Sequence, residues 1–85
     1  MKVLTKSDLQ DWLVENIAKS TRLPKKSIGI DIPLANYGLD SLQSVIISGE
    51  LEEWLNIQIE PTLFWDFPTI EKISSYIIDE YQSEE

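Results

Sequence analysis

The stretch "YGLDSLQSVIISGELEEWLN", residues 37–56, decides the fold, because in it a polar turn passes into an apolar run with helical periodicity. Asp40 is a favoured N-cap residue, and Gln43 follows three positions later, which is the spacing of a capping box. We therefore predict a helix from about Ser41 to Asn56. The face that we expect this helix to bury comprises Val45, Ser48, Leu51 and Leu55, with Ile47 at its edge.

The outward face of the same helix is predicted to combine apolar and acidic side chains. Leu42 and Ile46 fall on it near the N-terminal end, and Glu53 lies further along. Two apolar side chains beside a cluster of acids are more typical of a contact surface than of a core.

Two further helices are predicted on either side of this stretch. In "TKSDLQDWLVENIAKS", residues 5–20, Ser7 and Gln10 have capping-box spacing. A last helix is expected from about Ile70 to Tyr81, with Thr69 as its cap. Between them, "PTLFWDFP" predicts a short helix that begins at Pro61 and ends before Pro68. The predicted buried stripes are Leu9, Leu13 and Ile17, joined by Trp12, in the first helix and Ile70, Ile73 and Ile77 in the last.

The segment between the first two predicted helices has no helical period. Ile28, Ile30 and Ile32 alternate with polar residues, but three alternating residues without a partner strand do not make a sheet. We predict an extended loop that Ile28, Ile32 and Leu34 attach to the core. The fold class is therefore all-α: a small four-helix bundle with three main helices, a short third helix and a long loop after the first, in one domain over residues 1–85.

Composition excludes several classes of function. The 85 residues include no Cys and no His, so neither a disulfide, nor a thiolate metal site, nor a Ser–His nucleophile pair is possible. Fifteen acidic and seven basic side chains give a net charge of −8, which disfavours nucleic acid and anionic membranes as partners. We expect a soluble, cytoplasmic, monomeric protein with no catalytic residues and no metal site of its own.

Ser41 has two interpretations from its surroundings alone. The simpler is a residue that only starts a helix beside the Asp40 cap. The other is a modified serine, because its hydroxyl follows a long loop and is expected to be exposed, while Gly38 permits a sharp turn into the helix. A phosphate ester there would meet free backbone N–H groups and the positive end of the helix dipole.

Residues 37–74 resemble the acyl carrier domains of polyketide synthases. The shared features are Gly-Leu-Asp-Ser-Leu at 38–42, a Leu ten residues after the Ser, Pro-Thr-Leu-Phe at 61–64 and an aromatic-Asp-aromatic-Pro-Thr-Ile ending at 65–70. The resemblance extends over a core of about residues 7–81. It implies a four-helix fold in which Ser41 is esterified by 4′-phosphopantetheine, a group that carries acyl intermediates as thioesters in polyketide or fatty-acid-derived biosynthesis.

The same resemblance implies a set of partners. A phosphopantetheinyl transferase would supply the group from coenzyme A, with Asp40 helping to position a magnesium ion and the coenzyme A. An acyl-AMP ligase or acyltransferase would load the cargo, and a ketosynthase or another synthase domain would receive it. The second helix would be the docking surface for these enzymes, through Leu42, Ile46, Glu50, Glu52, Glu53 and Trp54.

Several alternatives stay open at this point. A peptidyl carrier of a nonribosomal pathway more often has Gly-Gly-His/Asp-Ser where this chain has "YGLDS", and a non-catalytic acidic interaction module would leave Ser41 unmodified. Trp54 either packs on the adjoining loop or selects a partner. Trp65 and Phe67 either pack in and around the core, which we expect, or touch the arm and its cargo.

Overall fold

A computed structural model describes residues 5–60 and 62–82 of the chain. Within these ranges there is no strand, and no helix is long and apolar enough to cross a membrane. The all-α prediction is confirmed, whereas the predicted role of Pro61 falls outside the described residues. The helices are α1 (Lys6–Thr21), α2 (Ser41–Leu55), α3 (Leu63–Asp66) and α4 (Ile70–Gln82), and two 3₁₀ turns, Lys25–Ser27 and Leu34–Tyr37, lie between α1 and α2.

The core lies where α1, α2 and α4 meet, closed at one end by α3. The stripes predicted for α1 and α4 are confirmed for six residues, each at most 2% exposed: Leu9, Leu13, Ile17, Ile70, Ile73 and Ile77. Trp12, which was predicted to join the α1 stripe, is only partly buried. A polar contact also joins these helices inside the bundle, since Gln10 Nε2 donates to Ser74 Oγ at 3.0 Å. The other buried apolar side chains are Ala18, Ile28, Leu34, Ile47, Leu51, Leu55, Leu63 and Phe64.

The start of α1 differs from the prediction. Its N-cap is Thr5, whose Oγ1 accepts from the Asp8 backbone N–H at 3.0 Å, and Ser7 already lies inside the first turn. Gln10 does not complete a capping box with Ser7, because its side chain reaches Ser74 on α4. The cap of α4 is as predicted, with Thr69 Oγ1 accepting from Lys72 N–H at 3.2 Å.

The prediction for the buried face of α2 was partly wrong. Val45, expected inside, is 43% exposed, whereas Ile47, placed at the edge, is 1% exposed and belongs to the core. The apolar run at 45–47 points in three directions around the helix, so its composition alone does not say which residue faces inward. The buried residues of α2 are Ser44, Ile47, Ser48, Leu51 and Leu55.

The long loop is anchored at Ile28 and Leu34, which are buried as predicted. Ile32 is 36% exposed, so its predicted place in the core was wrong. Hydrogen bonds tie the loop backbone to the start of α4, because Leu34 N–H donates to Pro68 O at 2.8 Å and Glu71 N–H donates to Ile30 O at 2.9 Å. The loop is therefore an ordered part of the fold that leads the chain to the start of α2.

The large aromatic side chains lie mostly at the rim. Trp54 stacks on Trp12 of α1, with ring centroids 5.3 Å apart and planes 12° apart, so its aromatic partner lies on α1. Phe67 is half-buried and stacks on Tyr76 at 4.6 Å, in keeping with its predicted packing role. Trp65 is 56% exposed and therefore lies outside the core, so only the rim part of its predicted packing can hold; Leu63 and Phe64 supply the core contacts of α3.

Candidate functional site

The turn before α2 depends on a left-handed glycine. The 3₁₀ turn Leu34–Tyr37 ends at Gly38, which has φ +78° and whose N–H donates to Ala35 O at 3.1 Å. An added Cβ at Gly38 would meet nothing within 4 Å, so the need for glycine is conformational and not steric. Tyr37 holds the same turn to the loop, because its hydroxyl oxygen accepts from Gly29 N–H at 2.7 Å.

The N-terminus of α2 is closed by a complete capping box. Gln43 N–H donates to Asp40 Oδ1 at 2.8 Å, and Asp40 N–H donates to Gln43 Oε1 at 3.2 Å. The prediction of Asp40 as the cap and of Gln43 as its partner is therefore confirmed. A Gln side chain also has an amide donor, and Nε2 of Gln43 uses it to bind Ser20 O at the end of α1, at 2.9 Å.

Ser41 is the first residue of α2 and is exposed, as predicted. The backbone N–H groups of Ser41 and Leu42 have no acceptor among the described residues, because the helical bonds begin with Ser44 N–H to Asp40 O. The Ser41 hydroxyl therefore lies beside two free donors at the positive end of a helix. This arrangement fits a phosphodiester on the hydroxyl, whose anionic oxygens those donors can bind.

The outward face of α2 is apolar close to Ser41. Leu42 is 67% and Ile46 is 52% exposed, as predicted, and Val45 joins them. We call Leu42, Val45 and Ile46 the apolar strip. The space around Gly49, one turn beyond Ile46, is open, so the backbone of α2 is exposed where the strip ends.

The acidic residues of α2 lie beyond the strip and are not equivalent. Glu50 and Glu53 are exposed. Glu52 is partly buried, and its Oε2 accepts from Ile59 N–H at 2.9 Å, so this carboxylate holds the segment that follows α2. Trp54 follows these acidic residues in α2; it is 38% exposed and stacks on Trp12.

A surface cavity of about 410 Å³ lies at the opposite end of α2 from Ser41. Ile57, Ile59, Phe67 and Tyr76 contribute to its wall, together with the acidic residues Glu60 and Asp66. Fifteen residues of α2 separate the two places, which corresponds to about 21 Å along the helix axis. The Ser41 hydroxyl and this cavity are therefore separate features of the molecule.

Comparison with known proteins identifies the family. Residues 11–77 match the family described as "Phosphopantetheine attachment site". A phenolphthiocerol/phthiocerol polyketide synthase of Mycobacterium tuberculosis is 32% identical over 71 residues, which cover 84% of this chain and only 4% of that synthase.

Solved carrier proteins have the same fold. A free-standing peptidyl carrier protein from Acinetobacter baumannii is 35% identical with a TM-score of 0.86, over 91% of this chain and 96% of that one. The acyl carrier protein LipD from Actinoplanes friuliensis is 39% identical with a TM-score of 0.75, over 98% and 97%. Together with the family match, these similarities show that the chain belongs to the phosphopantetheine attachment family: it is a carrier domain that binds 4′-phosphopantetheine covalently, performs no catalysis itself and is homologous to segments of polyketide synthases.

Proposed function

We propose that Ser41 is the attachment residue and that the chain is an acyl carrier in polyketide or fatty-acid-derived biosynthesis. One observation carries the assignment: the Ser41 hydroxyl is exposed at the start of α2, beside the unbonded N–H groups of Ser41 and Leu42. Ser44, which is three residues further on, is buried and faces the core. A transferase can therefore reach the first hydroxyl and not the second.

The reaction that attaches phosphopantetheine is a phosphoryl-group transfer to Ser41. The Ser41 Oγ forms a bond to the phosphorus of coenzyme A that bears pantetheine, the diphosphate bond of coenzyme A breaks, and 3′,5′-ADP leaves. The hydroxyl proton passes to a base of the transferase. The N–H groups at the start of α2 would bind the phosphodiester oxygens and so hold the attached group at the end of the helix.

Asp40 has a second role in this proposal. Its Oδ1 is engaged by Gln43 N–H, while Oδ2 has no donor among the described residues. A carboxylate oxygen is a ligand that Mg²⁺ prefers, so Oδ2 is available to a magnesium ion held with coenzyme A in the transferase. The capping bond fixes the direction of the carboxylate before the transferase binds.

When bound, phosphopantetheine supplies a terminal thiol that carries acyl groups as thioesters. This chain has no cysteine, so no protein thiol competes for the cargo. What the protein itself contributes is a fixed point of attachment and a surface for its partners. The apolar strip next to Ser41 supports a docking role for α2, with Glu50, Glu53 and Trp54 further along the helix and Glu52 partly engaged in the fold.

The proposed partners follow from the same chemistry. They are a phosphopantetheinyl transferase, an acyl-AMP ligase or acyltransferase that loads the cargo, and a ketosynthase or another synthase domain that receives it. The similarity to a segment of the mycobacterial polyketide synthase supports the last of these. We propose that residues 1–85 act as one monomeric domain in the cytoplasm, where coenzyme A is available to the transferase.

Intact-protein mass spectrometry tests the attachment. Apo-protein is incubated with a phosphopantetheinyl transferase, coenzyme A and Mg²⁺, alongside the variants Ser41→Ala and Ser44→Ala. We expect the wild type and Ser44→Ala to gain the mass of one phosphopantetheine and Ser41→Ala to gain nothing. A gain that persists in Ser41→Ala, or an unmodified wild type, would exclude the proposal.

A peptidyl carrier is the second candidate, favoured by the similarity to the carrier protein from Acinetobacter baumannii. The two candidates differ in cargo. Holo-protein is offered to an acyl-AMP ligase with fatty acids and to an adenylation domain with amino acids, and thioester formation is followed by mass. Transfer of amino acids alone would assign the chain to a peptidyl pathway.

A further inference from the structure

The basic side chains of this acidic chain are concentrated in one segment. Residues 16–30 contain Lys19, Arg22, Lys25 and Lys26 and no acidic residue. All fifteen acidic residues and only three basic ones lie in the rest of the chain. We call these four residues the basic corner.

The basic corner lies at the same end of the molecule as Ser41. The Gln43 side chain binds both chain segments, with Nε2 at 2.9 Å from Ser20 O and Oε1 at 3.2 Å from the Asp40 N–H nitrogen. The end of α1, where Lys19 and Arg22 flank Ser20, is thus one glutamine side chain away from the residue before Ser41.

The corner is also ordered. Ser27 N–H donates to Pro24 O at 2.9 Å and Ile28 N–H donates to Lys25 O at 3.0 Å, which closes the 3₁₀ turn. The side chain of Ile28 is buried and attaches this turn to the core. Lys25 and Lys26 are therefore presented on a fixed backbone next to the end of α1.

Among the described residues, the side chains of the four cations have no ion pair and no hydrogen bond. All four are exposed, and the ion pair found in residues 5–60 and 62–82 joins Lys6 to Glu71, elsewhere on the surface. Lys19 and Arg22 are accounted for in part by the negative end of the α1 dipole. Lys25 and Lys26 lie beyond α1, and the dipole effect fades within the last turn, so it does not account for them.

The acids of the docking helix are distant from this end. Glu50 and Glu53 lie about 14 Å and about 18 Å from Ser41 along the axis of α2, beyond the Debye length of about 8–10 Å near physiological salt. Asp40 is close, with only its Oδ1 engaged in the capping box. Asp31 follows the corner in the loop and Glu15 lies one helical turn before Lys19, so four positive groups stand against three negative ones at this end.

We propose that the basic corner binds acidic side chains on the surface of the enzyme that acylates the phosphopantetheine arm, around the entrance to its active site. This inference rests on Ser41 as the attachment residue, because an enzyme that admits the arm must cover the N-terminal end of α2. The surface of that enzyme then faces the apolar strip on one side and the basic corner on the other. The interface would combine apolar contact with positive charge from the carrier. The net charge of this chain, −8, disfavours the binding of an anionic surface at other positions on the carrier.

A titration with an oligoglutamate peptide, used as the probe of an acidic rim, locates the contact. Amide shifts of ¹⁵N-labelled holo-protein are followed at low salt. We expect shifts concentrated in residues 19–28 and 40–43, and their loss in Lys25→Gln/Lys26→Gln. The control Lys6→Gln/Lys72→Gln makes the same change in net charge at other positions and should keep the shifts. Shifts that are absent, spread over the surface or unchanged in Lys25→Gln/Lys26→Gln overturn the proposal.

Kinetics with an acyl-AMP ligase that acylates the holo-protein provide the second readout. We expect Lys25→Gln/Lys26→Gln to raise the KM for the carrier by roughly fivefold at low salt, to leave kcat unchanged and to lose the difference at high salt. An unchanged KM overturns the docking proposal. Because every variant is first converted to the holo form and weighed, a failure of Ser41 modification is seen separately and counts against the proposed function instead.

Discussion

The two faces of α2 contain similar side chains and have different uses. On the inner face, Ile47 and Leu51 are at most 1% exposed and hold α2 in the bundle. On the outer face, Leu42 and Ile46 are more than half exposed. Burial of apolar surface is favourable in an interface as well as in a core. Apolar side chains that the fold leaves exposed are therefore available to a partner. The difference between the faces separates the residues that stabilise the fold from those that we assign to docking.

The largest effect on stability is expected from the inner face. Leu51→Ala removes a fully buried side chain and leaves a cavity, which should lower the free energy of unfolding by about 2–5 kcal/mol. Urea denaturation followed by circular dichroism measures the change. In a bundle of this size such a loss would leave little folded protein, and a change below about 1 kcal/mol would contradict the assigned core.

A smaller effect is expected at the edge between the two faces. Trp54→Ala removes the stack on Trp12 and part of a buried surface, which should cost about 2 kcal/mol. A double-mutant cycle with Trp12→Ala isolates the contact and should give a coupling of about 0.5–1.5 kcal/mol. Additive effects of the two substitutions would show that the rings do not stabilise each other.

Asp40 tests whether the start of α2 serves both stability and loading. Asp40→Ala removes the capping bond to Gln43 and should cost about 1 kcal/mol. Asp40→Asn retains an N-cap oxygen and should cost only a few tenths of a kcal/mol, yet it removes the charge that we assign to Mg²⁺ in the transferase. Modification rates should therefore fall in both variants. If Asp40→Asn is modified at the wild-type rate, the carboxylate acts only as a cap.

The smallest effect on stability is expected on the outer face. Ile46→Ala should change the free energy of unfolding by no more than about 0.5 kcal/mol, because the side chain is already half in water. Its KM in the transferase reaction should nevertheless rise, since apolar contact area next to Ser41 is lost. A normal KM together with lower stability would reverse the roles that we give to the two faces.

Features set by neighbouring residues in the chain could be predicted from the sequence. The capping box of Asp40 and Gln43, the left-handed Gly38 and the exposure of Ser41 each depend on residues within a few positions. The stripes of α1 and α4 were equally clear, because their apolar residues recur at one helical spacing with polar residues between them.

Features set by tertiary contacts could not be predicted in the same way. Val45, Ile46 and Ile47 are consecutive and apolar, and only the packing against the rest of the bundle decides that Ile47 faces inward. Trp54 finds its partner on α1, far away in sequence. The second hydrogen bond of Gln43, which brings the basic corner to the Ser41 end, likewise depends on how α1 and α2 meet.

The most direct test of the central claim is to locate the attached group by tandem mass spectrometry. The modified protein is digested, and the peptide that contains the start of α2 is fragmented. We predict phosphopantetheine on Ser41 alone, although Ser7 and Ser27 are also exposed. Phosphopantetheine on either of those serines, or on the buried Ser44, would contradict the account.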